Sequence, residues 1–189
     1  MAMRHRLLAL LLLLTALVTP ASAALNSTVA ISLTGTLTKA LDLATGSVPL
    51  SKAATITLAS GTGANQADKI WSDQRTINAS ATDSLDLAGS LLDAFGDAFT
   101  PARIKVVLVC AAGGNTNNVN LTRPASNGVP LFLAAGDGIP VRPGGCIVWV
   151  APDVTGVAVT AGTGDLIDLI NSAGGTTVTY DIVIVGASA

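Results

Sequence analysis

No glutamate occurs anywhere in this chain: all twelve acidic residues are aspartate, and only four lysines accompany the six arginines. Glu, Lys and Arg are the residues that cover exposed helix faces at little entropic cost, so a chain poor in them has few ways to build a surface helix. The clearest hydrophobic pattern instead has the period of two that sends alternate side chains to opposite faces of a strand. Residues 28–37, TVAISLTGTL, set Val29, Ile31 and Leu33 against Ala30, Ser32 and Thr34. Nineteen glycines and many Ser, Thr, Val and Ala residues suit short strands joined by tight turns. The expected fold class is all-β.

The opening segment differs in kind. An apolar run, Leu7–Val18, interrupted only by Thr15, follows Arg4 and Arg6 and precedes Pro20 and Ala21-Ser22-Ala23. It is shorter than the roughly 20 residues that span a bilayer, and its basic start and small-residue end match an export signal cleaved before Ala24. Residues 1–23 are therefore expected to be a signal-peptide-like leader, touching a membrane only if left uncleaved.

Removal of the leader would take Arg4 and Arg6 from the ten basic residues, leaving eight against twelve acids, a net charge of −4. Such a balance lacks the usual electrostatic drive for nucleic-acid binding, and no nucleic-acid partner is expected. The single histidine, His5, would leave with it, and with it Ser-His-Asp and Cys-His catalysis and His-ligated zinc. The remaining 165 or so residues suffice for one domain with its own core.

Along the chain, strand-like runs at Thr28–Leu37 and Ala54–Leu58 flank a looser stretch around Gly46 and Pro49. The turn-rich SGTGANQAD, Ser60–Asp68, joins this N-terminal arm, residues 24–65, to a main domain, residues 66–189. Main-domain strands are expected at Lys69–Ile77, Asp83–Leu87, Arg103–Ala111, Val129–Ala134, Ile139–Val141, Cys146–Ala151, Val154–Ala161, Asp165–Ile170 and Thr176–Val185. Arg103–Ala111 is nearly all apolar and should lie centrally, with Asn118–Thr122 pairing back on it as a hairpin. Residues 87–99 place Leu87, Leu91, Leu92 and Phe95 at helical spacing but contain Gly89 and Gly96, so a helical turn or a structured loop is expected. Eight to ten strands without a long helix describe an antiparallel β-sandwich of jelly-roll type with an extended N-terminal arm.

Few residues offer chemistry. No phosphate-binding loop, zinc-protease motif or nucleophile elbow occurs, and the paired glycines lack the strand-to-helix setting that cradles phosphate. Asp93/Asp97 and Asp165/Asp168 have the residue type of a glycosidase pair, and Asp137 and Asp165 that of calcium ligands, yet Asp is also the common turn residue. The expectation is no enzyme, no cofactor and no metal. Trp149 lies in the apolar run IVWVA and reads as core, whereas Trp71, among Ser72, Asp73, Gln74 and Arg75, reads with Arg75 as a candidate interface anchor. Cys110 and Cys146 lack any metal-binding spacing. They are a candidate disulfide in an exported chain or two buried small apolar residues. The N-x-[ST] sequons at Asn26, Asn78 and Asn120 acquire meaning only in a glycosylating pathway.

The stretches GTGANQADKIWSDQRTI (61–77), DSLDLAGSLLDAFGDAF (83–99), ARIKVVLV (102–109), NTNNV (115–119) and 143–186 together resemble a family of tailed-bacteriophage virion structural proteins. The resemblance covers about two thirds of the chain in order and implies a non-enzymatic particle component of the minor structural, cement or decoration kind, located in the virion. A leader is foreign to that setting. It fits the alternative of an exported bacterial surface or binding module. Half the residues are hydrophobic and charges are few, so either reading expects a homo-oligomer that also meets other virion or surface structural proteins.

Overall fold

A computed structural model describes residues 24–89 and 91–189; the leader reading falls on residues 1–23, outside the described residues. No helix occurs among the described residues, and twelve strands do. The first two, β1 (Ser27–Ala40) and β2 (Thr45–Ser60), form one long antiparallel hairpin. A two-residue β3 (Gln66–Ala67) runs parallel to the end of β2. The body follows with β4 (Lys69–Ile77), β5 (Thr82–Asp86), β6 (Arg103–Ala111), β7 (Val119–Thr122), β8 (Gly138–Val141), β9 (Cys146–Val150), β10 (Val157–Ala158), β11 (Leu166–Asn171) and β12 (Val178–Ala187).

Body strands belong to two sheets. One has the order β4-β12-β6-β9, with β10 also pairing with the start of β6; the other has the order β5-β11-β7-β8. Successive strands change sheets, except β7–β8 and the β9–β10 continuation, and the last strand returns beside the first. This is the double Greek-key arrangement of a jelly roll. It closes one end with the short connections 78–81, 112–118, 142–145 and 172–177. The other end carries the long loops 87–102, 123–137 and 151–165.

The alternation of side chains along each strand fills the space between the sheets. Ile182, Ile184 and Tyr180 of β12, Val107 and Val109 of β6, Trp71 and Ile77 of β4 meet Leu85, Leu121, Ile167 and Leu169 from the facing sheet. As its continuous apolar run implies, β6 is central, flanked by β12 on one side and β9 on the other.

Several expected elements turn out otherwise. Asn118–Thr122 does not pair back on β6: β7 lies in the opposite sheet, between β11 and β8, because the connection 112–118 crosses from one sheet to the other. Residues 129–134 form no strand; Val129 is fully buried and its amide donates to the Leu166 carbonyl, so its apolar character serves a loop plugged into the core. Of Val154–Ala161 only the two residues of β10 are strand. Residues 87–89 and 91–99 take the loop form without helix, tied by the Leu92–Ala98 bridge. Gly46 and Pro49 do not loosen the arm. Pro49 lies within β2 opposite Thr36, where an edge strand can aim the position of its missing N–H outward.

Candidate functional site

The hairpin is the feature that the rest of the fold leaves unexplained. Its fourteen residue pairs join across the four-residue tip Leu41–Ala44, and the register sorts side chains by face. One face carries Val29, Ile56, Ile31, Ala54, Leu33, Leu50, Leu37 and Val48, with Lys52 opposite Leu33 and Lys39 opposite Gly46. The other carries Thr28, Thr57, Ser32, Thr34, Ser51, Thr36, Thr38 and Ser47. An amphipathic strand pair normally covers its apolar face with a second layer.

Among the described residues, only the base of this face is covered. Leu58, Ala67, Val106 and Val185 form a small buried cluster, joined by Leu25, Val29 and Ile56, that seats the hairpin on the outer face of the β4-β12-β6-β9 sheet. From Ile31 onward the ribbon leaves the body. Leu33 is 63% exposed, Leu37 75%, Val48 66% and Leu50 57%. Where ribbon and sheet part, they bound an apolar crevice of about 390 Å³ between Val29 and Ile31 on one side and Ile70, Leu108, Val148 and Val183 on the other. Exposed apolar surface therefore continues from the hairpin onto the sheet, of the kind that marks an interaction site.

The residues singled out from sequence fall differently. Trp71 is not a surface anchor: it faces the sandwich interior at 4% exposure, its ring centroid 6.4 Å from that of Phe99. The polar residues around it in sequence point outward or sit on the sheet edge, and the period of two takes Trp71 itself inward. Trp149, on β9, packs against the core as expected. Arg75 is occupied within the chain. Its Nε and Nη2 donate to Asp83 at 2.6 and 2.9 Å, its Nη1 donates to Asp73 at 3.0 Å, and the Tyr180 hydroxyl donates to Asp83 at 2.8 Å.

That cluster joins the two sheets where β4 and β5 form an open edge. The hydrogen bond to Asp83 pushes the Arg75 guanidinium pKa up. Burial opposes ionisation of Asp83, yet the donors Arg75 and Tyr180 outweigh it and hold its carboxyl below the usual 3.8. Burial, with the bond to Asp83, pushes the Tyr180 phenol up. A carboxylate saturated by three donors, a phenol that keeps its proton and a paired arginine make a clamp; none is poised as base or nucleophile.

The two cysteines pair. Cys110 and Cys146 stand opposite each other on β6 and β9, their Cα atoms 4.1 Å apart, and are joined by a disulfide on the outer face of the sheet. Apart from Asp97, each acid considered for catalysis or calcium binding accepts hydrogen bonds that support local structure. Asp93 accepts from the amides of Phe95 and Asp97, Asp137 from Ala134, and Asp165 from Gly162, while Asp168 accepts from the Ser84 hydroxyl. Among the described residues no group of three or more His, Cys, Asp or Glu side chains is placed to hold a metal ion.

The sequence reading missed the apolar hairpin residues Leu37, Val48 and Leu50 and the lysines set among them. A signal for them was present: the alternation of 28–37 can be mirrored across LDLA onto 45–58, which predicts one amphipathic ribbon in place of two separate strands. Comparison with protein-family models, curated proteins and solved structures finds no match to this chain.

Proposed function

We propose that this chain is a non-enzymatic structural component of a phage particle, a capsid decoration, cement or minor virion protein that acts through subunit interfaces. The observation that carries this reading is the projecting hairpin with its exposed apolar face, mounted on a jelly-roll body most of whose aspartates are engaged in turns and clamps. A two-stranded ribbon is marginal by itself in water, so one with an exposed apolar face calls for a partner that covers it. Burying its apolar side chains at about 25 cal/mol per Å² supplies the driving force for assembly. The ordered resemblance of residues 61–186 to tailed-phage virion proteins supports the same reading.

The disulfide favours a second reading, an exported bacterial surface or binding module, since such bonds persist in oxidising compartments. Density-gradient purification of particles from the strain that carries this sequence, followed by peptide mass spectrometry, separates the two. The first reading expects the chain in the particle band at a fixed ratio to the major shell or tail subunit. Recovery confined to the medium or the cell envelope, free of particles, overturns it in favour of the second.

A further inference from the structure

We infer that the distal part of the hairpin docks, apolar face down, on the outer face of the β4-β12-β6-β9 sheet of a second copy of this chain, each copy giving one arm and receiving one. The inference rests on the reading of the chain as a structural subunit and supplies its partner and its contact.

Charge selects the body as the receiving surface. The arm, residues 24–65, carries Lys39, Lys52 and only Asp42, a net +1; the body, residues 66–189, holds eleven acids against six bases, a net −5. Of the ten pairs that project beyond the base, Lys52 stands in the third and Lys39 in the ninth, both on the apolar face. Two arms stacked face to face and antiparallel about a twofold axis therefore bring Lys52 of one beside Lys39 of the other in an apolar layer. The sheet offers the opposite sign.

On the outer face of that sheet, Val183 and Leu108 form a cross-strand pair, and Asp181 follows two residues before Val183, opposite Cys110. Same-face neighbours two residues apart lie about 7 Å from each other along a strand. On the arm, Leu50 lies two residues before Lys52. Seating Leu50 on Val183 brings Lys52, one step along the strand, within reach of the exposed Asp181 carboxylate, with Leu33, opposite Lys52, over Cys110. The apolar and charged patterns of the two faces thus repeat at the same step.

Area decides how many contacts each copy needs. The ten pairs from Ile31↔Ala54 to Ala40↔Thr45 project from the body. At about 3.3 Å per residue and about 10 Å across two strands they present about 330 Å², or about 650 Å² over both faces of one contact. A stable pair needs about 1,200 Å². One arm contact falls short, and a given plus a received arm, about 1,300 Å², meets the requirement.

Sedimentation velocity of the purified chain from about 1 to 100 μM tests this. The wild-type chain should self-associate. Leu37→Asp with Leu50→Asp should weaken association at least about 100-fold, at about tenfold or more for each leucine lost from the interface. Thr36→Asp with Ser51→Asp, which adds the same charge to the hydroxyl face, should leave association within about threefold of wild type. Lys52→Asp and Asp181→Lys should each weaken it, and the two together should restore it. Far-UV circular dichroism checks that each variant folds. A wild-type chain that stays monomeric at about 100 μM overturns the inference, as does equal loss from both double aspartate variants. Loss from the apolar-face variant with no effect of Asp181→Lys and no rescue by the combined swap assigns the contact to arms alone and also overturns it. A monomeric chain still found in the particle band would leave the structural role standing and remove only the second copy as partner.

Discussion

At the scale of single residues, the exclusive use of aspartate has a structural explanation. Asp86, Asp93, Asp137, Asp153 and Asp165 each accept hydrogen bonds from backbone amides two to four residues away. A one-carbon stem lets the carboxylate reach the amides of its own turn, which the longer Glu stem does less well. At Asp153 the Thr155 hydroxyl and the Gly156 and Thr155 amides bring the carboxyl down to about 2. Asp83 is different, since it bridges the sheets. Its pKa is lowered on folding, so its contribution to stability is present above the ordinary 3.8 and is lost as pH falls through its lower folded value. Tyr180 has a raised pKa, so its contribution is present below the ordinary 10 and is lost as pH rises above it. Thermal melts from pH 2 to 11 should therefore show a plateau from about pH 4 to 10. Asp83→Asn should lower that plateau by about 2 kcal/mol and flatten the acid limb. A steep acid limb retained in the variant would place the acid sensitivity elsewhere. Asn171, buried in the core's short-loop end, donates to the Asn78 and Thr176 carbonyls and accepts from the Asn117 side chain. Asn171→Leu strands those groups and should cost about 3 kcal/mol, read from urea unfolding midpoints.

Elements add what residues alone do not determine. Strands β6 and β9 are joined by ladder hydrogen bonds and by the disulfide, whose partners are 36 residues apart in sequence. Closing a loop of that length removes denatured-state entropy worth about 4 kcal/mol in the chain-entropy account. Cys110→Ser with Cys146→Ser should lose about that much in guanidinium unfolding; dithiothreitol should reproduce the loss in the wild type and leave the double variant unchanged. Lys105, fully buried on the same β6, donates from Nζ to the Asp153 carbonyl and anchors the long loop 151–165 to the sheet; burial pushes its ammonium pKa down. The hairpin departs from this pattern of mutual support. Its pairs are made within the ribbon, and beyond Ile31 its side chains bury nothing of the body.

For the whole molecule, the jelly roll is complete without the distal hairpin. The core between the sheets draws on strands from β4 onward, and the second cluster uses only the hairpin base and its neighbours. Replacing residues 32–53 by an Asn-Gly turn should leave the melting temperature of the body within about 2 °C of wild type, measured by calorimetry. A fall of more than about 8 °C would show that the ribbon contributes to the body's stability, and the division into core and projecting arm would fail.

Much of this was legible in the chain itself, and the remainder was not, for one reason. Periodicity and composition act locally: the alternation of Thr28–Leu37, the apolar run of Arg103–Ala111 and the absent helix formers determined strands, the central position of β6 and the all-β class. Which surface an apolar face meets depends on what packs against it, and that is long-range. Trp71, among polar neighbours, reads as exposed until β12 places it opposite Ile184, facing inward. Val129–Ala134 reads as a strand until the fold plugs Val129 into the core from a loop, its amide tied to the Leu166 carbonyl. Val29, Ile31 and Leu33 read as the covered face of a strand, and only the tertiary structure, by placing the ribbon beyond the body, left Leu33 in water.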